Sequence, residues 1–499
     1  MNEKNSQTKK VLKQKITRRE ALSTTAKLGI AVGVTAIVAG IGGYLTGSLT
    51  IPPKTVEKTI TVTKTITTTR AETTISTATT TAPPTAKLPS GKIIMPLHKP
   101  PWLPGLQTLI SMYEKRNPNA KIELDLMGDF ATLRDKELSV CKEQLAVWDV
   151  LLMPFQMAPC IIWKALYPIK ELDPTFEIDT KNILVKEWNY DYDGVLRALP
   201  LNMNNPILYY REDLFKEHGL KAPPETWEDT LEAAKTLHDP SKKMYGFIPR
   251  LADEPGLEGY CLLRSFGGDW FEDWKGGDFT VRLNDEHGLA AMETFAELLK
   301  YAPPSPSTIT QADMISYMAS GQGAQALIVF AGTPWMDNPT FSKVPMKVNF
   351  APPPKGTGLP GCQHAAAEAG WSSGVALTTK NKELAWDWVK FTISYEAQLA
   401  FALAGVAPVR MDVATEPSII SKPEYRNIKA EGETMKYIVY FPNIPETPTI
   451  LSTVIKELFQ SIAVGKPVKE ALNTAAEKLY KLMKSKGYKT SWTPNLWAK

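Results

Sequence analysis

The sequence predicts an α/β fold, and three observations predict it. From residue 92 onward, short apolar runs with strand character alternate with amphipathic helical stretches, the pattern of a sheet covered by helices. The run "VWDVLLM" at residues 147–153 is apolar without alternation, as a strand buried on both faces should be. Helix starts carry capping chemistry, most clearly at Thr226, three residues before Asp229. Of the 499 residues, 43% are hydrophobic, enough for two to four ordinary cores at about 150 residues per domain.

Residues 1–27 form a basic head with eight Lys or Arg against Glu3 and Glu20. It precedes the uncharged stretch "LGIAVGVTAIVAGIGGYLTGSL" at residues 28–49, long enough to cross a bilayer as a helix. The preceding positive charge predicts a cytoplasmic N-terminus. "TRREAL" at 17–22 resembles a twin-arginine export signal, with Ala21 where that pattern prefers Phe; an ordinary start-transfer anchor fits equally. No clear small-x-small cleavage site follows, so the segment is read as an uncleaved anchor with the rest of the chain outside the cell. Residues 50–90 are rich in Thr and Pro and lack aromatic side chains. Such a segment cannot bury enough apolar surface to offset the entropy of ordering, and reads as an extended stalk. The net charge of +4 comes from the head, which argues against a nucleic-acid partner.

In the body, "KIIMPL" at 92–97 is a strand. A helix follows with Leu106, Leu109, Ile110 and Tyr113 on one face, ended by Pro118. "AKIELDLMG" is the next strand and "LRDKELSVCKEQ" the next helix, before the buried strand at 147–153. Further helices are predicted from Thr226, over Leu289 to Lys300, over Ile309 to Ser320, as one run from Asn381 to Ala402, and from Thr447 onward. "AQALIVFAGTPWMDNP" reads as strand, then loop. Cys141, Cys160, Cys261 and Cys362 lack metal-site spacing. They could form up to two disulfides in an exported protein, or serve as four small buried residues.

The order of these segments is similar to the extracellular solute-binding proteins of ABC importers, in the sugar-binding cluster that includes maltodextrin-binding protein. The pieces that carry the resemblance are "VWDVLLM", "LYYREDLFKEHGLKAPPETWEDTLEAAKTL", "RSFGGDWFEDWKGG", "ALIVFAGTPWMDNP", "VNFAPPPKGTG" and "GVALTTKNKELAWDWVKFTISYEAQLAFALAGVAPVR". With "FPNIPETPTILSTVIKELFQ" and the helix after it, they span nearly all of residues 91–499. The resemblance implies a two-lobed clamshell: residues 91–204 and 352–406 in one lobe, 205–347 and 407–499 in the other. It places three crossings, near Asn204-Asn205, Val348 to Pro352, and Gly405 to Pro408. It also implies a carbohydrate ligand and an ABC permease as partner, without catalysis; no cofactor or metal and a monomeric state are expected, with a polyamine or an organic phosphate as alternative ligands and a tethered glycoside hydrolase or esterase as the alternative class.

One motif points elsewhere. Gly370-Trp371-Ser372-Ser373-Gly374 is a G-x-S-x-G, the nucleophile elbow of hydrolases. That motif needs a helix after the serine and a histidine later in the chain. None of the five histidines follows Ser372, and "VALTT" reads as strand. Trp371 is the more informative residue. A sugar offers an apolar ring face and a polar rim, which aromatic side chains and neighbouring carboxylates or amides complement. Trp270 beside Asp269, Trp335 beside Asp337, and Trp371 near Glu368 are expected in loops with that pairing. The resemblance adds His98, Lys99 and Trp102 after the first strand, Phe155 and Gln156 after "DVLLM", and Asn204 and Asn205 at the first crossing. Leu451 stands where maltodextrin-binding relatives carry an aromatic residue, which argues against a long malto-oligosaccharide.

Overall fold

The computed structural model describes residues 88–498, except 155–158, 192 and 254. The basic head, the apolar stretch 28–49 and nearly all of the stalk lie outside the described residues. Among the described residues no helix is long and apolar enough to cross a membrane. In chain order the strands are β1 (Gly91–Leu97), β2 (Ala120–Leu126), β3 (Val150–Pro154), β4 (Leu199–Met203), β5 (Pro206–Arg211), β6 (Phe271–Asp273), β7 (Asp278–Val281), β8 (Gln325–Val329), β9 (Val348–Ala351), β10 (Ala366–Ala367), β11 (Gly370–Val375) and β12 (Ile438–Val439).

The first sheet starts with β1 and β2, paired in parallel. The helix between them, Leu103–Arg116, buries Leu106, Leu109 and Tyr113 on the face its sequence period predicts. It stops at Asn117, because Pro118 disfavours helical backbone in the residue before it. β3 is buried along its whole length, as its unbroken apolar run requires. It is tied to β1 by Asp149, whose N–H donates to Ile94 O at 2.9 Å and whose carboxylate accepts from Ile94 N at 2.9 Å. β11 then runs antiparallel between β3 and β4. The pairing orders are thus β2-β1 and β3-β11-β4, two ladders set side by side by the Asp149–Ile94 bonds, with a strand from residue 370 onward placed among strands otherwise made before residue 204. The one disulfide among the described residues, Cys141–Cys160, ties the helix Phe130–Glu143 to the segment after β3, while Cys261 and Cys362 are free.

The second sheet is β8-β5-β9, antiparallel throughout. Helix Trp227–Leu237 packs on it, burying Ala233 and Leu237 with Leu208, Tyr210 and Phe215. Its start is the capping box expected from sequence: Asp229 N–H donates to Thr226 Oγ1 and Thr226 N–H to Asp229 Oδ2, both at 3.0 Å. β10 and β12 pair in parallel, and β6 and β7 form a hairpin.

β4 and β5 lie in different sheets, so the chain passes between them at Asn204-Asn205. The passage expected at Val348 to Pro352 does not match the pairing, because β9 lies beside β5. The proline run 352–354 reads as a connector, yet Lys355 N–H donates to Glu225 O and Gly356 N–H to Ser265 O, keeping the segment against the helices Trp227–Leu237 and Gly256–Ser265 on the side of the second sheet. The chain reaches the first sheet only at β11. Near Gly405 to Pro408 the chain is likewise still bound to the first sheet, with Met203 N–H on Ala407 O and Met411 N–H on Asn182 O. The single helix expected from Asn381 to Ala402 is two, Lys382–Thr392 and Tyr395–Leu403, because Ser394 caps the second through Ala397 N–H.

Candidate functional site

The carboxyl edge of the first sheet collects an aromatic cluster. His98 follows β1, Phe130 follows β2, and β11 begins at this same edge because it runs antiparallel, pairing Trp371 with Pro154 and Asn202. Loops at such an edge are where open α/β sheets hold ligands. The His98 ring stacks on Trp371 at 5.5 Å between centroids, Trp102 meets Trp371 edge-on at 5.2 Å, and Phe130 meets His98 at 5.5 Å and Trp371 at 6.1 Å. Burial pulls the His98 pKa down to about 4, against the opposing pull of the Asp129 carboxylate, so the ring is neutral at neutral pH. Its Nδ1 is buried with no hydrogen-bond partner among the described residues. Lys99 beside it is exposed. Phe155 and Gln156 lie outside the described residues.

Trp371 is not in the loop expected for it. It is the second residue of β11, whose six residues are all buried. Ser372 and Ser373 are small side chains that fill the middle of the three-stranded ladder β3-β11-β4. Ser372 Oγ accepts from Trp188 Nε1 at 3.2 Å and from Asn189 Nδ2 at 2.7 Å. A fully buried hydroxyl held by two donors is a structural acceptor, and the nucleophile reading falls.

The Trp371 backbone is fixed from below. Its N–H donates to Asn202 Oδ1 at 3.0 Å, and its carbonyl accepts from Lys186 Nζ at 3.0 Å. Lys186 also reaches Asn202 O at 3.1 Å and is wholly buried, which lowers its pKa to about 7, with the Glu368 carboxylate pulling the other way. Glu368 itself is buried, and its carboxylate accepts from Glu187 N–H and Phe441 N–H, each at 3.3 Å. Burial pushes its carboxyl well above the usual range.

The remaining expected residues serve other contacts. Asn205 is fully buried; it donates from Nδ2 to Glu431 at 2.7 Å and accepts from Ala369 N–H at 3.0 Å. Asn204 Oδ1 accepts from Ala331 N–H at 2.8 Å. Asp269 is held by Arg264 at 2.6 Å and by the Tyr260 hydroxyl at 3.1 Å. Trp270 is 1% exposed and packs between Tyr260 and Phe441. Asp337 makes a two-pronged pair with Arg426 at 2.6 and 2.8 Å. Trp335 is half-buried against Phe341 at 4.7 Å. The structure thus brings His98, Trp102 and Trp371 together and places Trp270 and Trp335 in separate ring contacts. Sequence reasoning missed Phe130 and Lys186. Phe130 had a signal, since it follows the Asp129 cap directly after a strand; Lys186 had none.

Two α/β sheets between which the chain passes three times, after β4, before β11 and between Met411 and Arg426, with an aromatic edge on the first, define a two-lobed fold like that of periplasmic binding proteins. The chain belongs to the bacterial extracellular solute-binding protein family, whose model matches residues 99–399. A mannitol-binding protein of Pseudomonas aeruginosa is 24% identical over 410 residues, covering 77% of this chain and 91% of the relative. A probable amino-acid ABC transporter periplasmic-binding protein of Sinorhizobium fredii is 22% identical over 59% of this chain, which spans 65% of it, just under two thirds. Among solved structures, maltose-bound MalE3 of T. maritima has a TM-score of 0.68 at 23% identity, covering 78% of this chain and 99% of that one. A ribitol-bound solute-binding protein of Agrobacterium radiobacter has a TM-score of 0.67 at 23% identity, covering 79% and 100%.

Proposed function

We propose that this chain captures a sugar, a polyol or a short oligosaccharide outside the cell and delivers it to an ABC-type import permease, without turning it over. The observation that carries this reading is the His98, Trp102, Phe130 and Trp371 cluster at the carboxyl edge of the first sheet. Its rings suit the apolar face of a sugar, and the unpartnered His98 Nδ1 suits a hydroxyl. Similar structures solved with maltose, ribitol and D-mannitol support the ligand class. In this reading the lobes close over the ligand, and the head, the apolar stretch and the stalk anchor a monomeric body at the outer face of the membrane. The lobe limits are then those of the strand pairing, with the second passage at residues 368–369.

A thermal-shift screen of the purified protein against mono- and oligosaccharides and polyols tests it, because a tight ligand raises apparent stability by mass action. Once a ligand is found, Trp371→Ala and Trp102→Ala, the two tryptophans of the cluster, are each expected to weaken it by about 1–3 kcal/mol, the scale of one lost aromatic contact. Calorimetric titration checks this, with circular dichroism confirming the fold. Unchanged affinity in both variants would sink the stacking model. An organic phosphate is the second reading. An sn-glycerol-3-phosphate-binding relative of Agrobacterium fabrum is 36% identical over 135 residues, 26% of this chain, and Lys99 is exposed beside the cluster. A shift by glycerol 3-phosphate and by no sugar would select it.

A further inference from the structure

The segment Glu187–Tyr190 belongs to the first lobe. Asn189 O accepts from Arg197 N–H, and Trp188 and Asn189 both donate to Ser372 inside β11. Yet groups carried by the second lobe grip this strip. Lys275, in the turn between β6 and β7, places Nζ 2.6 Å from the Glu187 carboxylate. Asn443, four residues beyond β12, donates from Nδ2 to Glu187 O and to Tyr190 O, both at 3.2 Å. At the passage between sheets, the Glu368 carboxylate joins Glu187 N–H on one side to Phe441 N–H on the other. Lys275 is held in place by its own surroundings, its ammonium 5.2 Å from the Trp274 ring and 5.5 Å from the Tyr440 ring.

We infer that Lys275 and Asn443 are positioning residues that clasp the Glu187–Tyr190 strip and hold the two lobes closed. The strip is well placed for this task. Lys186, the residue before it, binds the carbonyl of Trp371, and Asn189 binds Ser372. Trp371 is thereby joined to the strip, and the strip to Lys275 and Asn443. The clasp residues are not members of the aromatic cluster, so the clasp is assigned to how long the closed form lasts and not to what enters. Lys275 is exposed and Glu187 about one-third exposed, which makes the grip weak, reversible and sensitive to salt.

The inference rests on the proposed binding reading only where it speaks of ligand release, and the test separates the two. Carbodiimide treatment of the full-length chain should join the Glu187 carboxylate to the Lys275 amine as an amide with net loss of one water, found by mass spectrometry of the digest. That result needs no sugar. Absence of the cross-link in wild-type protein would overturn the clasp. With a sugar from the screen, Lys275→Ala and Asn443→Ala should each raise the dissociation rate about two- to five-fold, the scale of one exposed ion pair, and leave the association rate unchanged. High salt should do the same to wild type and little to Lys275→Ala, and Glu187→Lys combined with Lys275→Glu should restore slow release. A cross-link with no sugar bound by any variant leaves the clasp standing and removes the carbohydrate reading. Equal dissociation rates in wild type and Lys275→Ala overturn the clasp.

Discussion

Gly370→Ala is expected to cost the protein about 3 kcal/mol or more. Gly370 opens β11 at φ +130°, a region L-residues rarely adopt. Strain of that kind costs of order 1–3 kcal/mol. A second cost adds to it. β11 lies against β4 with Gly370 facing Met203, and an added Cβ would overlap the Asn202 carbonyl oxygen and come within 3.0 Å of the Met203 Cα. Both are backbone atoms of β4, so no flexible side chain can give way. Relief would require β11 to lift from β4, and the Trp371 N–H to Asn202 Oδ1 bond and the Lys186 bridge between Trp371 O and Asn202 O would go with it. Urea denaturation of wild type and variant should show a lower midpoint with an unchanged slope. A loss below about 1 kcal/mol would mean that the strand adjusts and that the tight β4–β11 approach is not a constraint.

The same stretch shows what the sequence could and could not tell. Gly370 to Gly374 was legible as chemistry, and the missing downstream histidine already weakened the hydrolase reading. Its place was not legible. Glycine and serine next to tryptophan look like a turn when read locally. They fill the middle of a sheet because β3 and β4, more than 160 residues earlier, leave a slot that only small side chains fit. Periodicity reports which face of an element is buried and says nothing of partners at that distance. That is why the helix Leu103–Arg116 came out with its buried face and Trp227–Leu237 with its capping box, while the passage between sheets was expected at Val348 to Pro352, before it occurs.

The candidate residues divide along the same line. His98, Trp102 and Trp371 each sit beside a strand end, and strand ends can be read from sequence; the sheet order then brings them together. Trp270 and Asp269 have the same local look, yet helix Gly256–Ser265 turns Tyr260 and Arg264 onto them and closes them into the second lobe's core. Lys186 left no trace, because one lysine in an irregular stretch looks like a surface residue until two carbonyls and full burial define its task. It is this unreadable layer, the groups behind Trp371, that fixes the orientation of the readable one.

Glu431→Gln is expected to flatten the pH dependence of stability between about pH 5 and 8. Glu431 is wholly buried on helix Arg426–Thr434; among the described residues its carboxylate receives one hydrogen bond, from Asn205 Nδ2 at 2.7 Å, and Oε2 has no partner. Burial raises its pKa from 4.5 to about 8, with the Asn205 bond offsetting part of the rise. The unfolded chain ionises near the lower value and the folded chain only near the higher one, so the folded state is protonated where the unfolded state is not. The resulting contribution is fully present below pH 4.5 and is lost as pH rises to about 8. At 1.36 kcal/mol per unit the limit is of order 5 kcal/mol, reduced by any relaxation that lets water reach the carboxylate. Glutamine keeps an acceptor for Asn205, adds buried donors that cost about 1–3 kcal/mol at every pH, and cannot ionise. Burial also holds the Lys186 pKa at about 7 and raises that of Glu258 to about 6, but both are common to wild type and variant and cancel in the difference. Denaturation at pH 5, 6.5 and 8 should therefore show wild type falling relative to Glu431→Gln by a few kcal/mol, and parallel curves would mean that Glu431 is ionised in the folded protein. The outcome bears on closure, because the Asn205 amide that Glu431 orients also holds Ala369 N–H, where the chain leaves one lobe for the other.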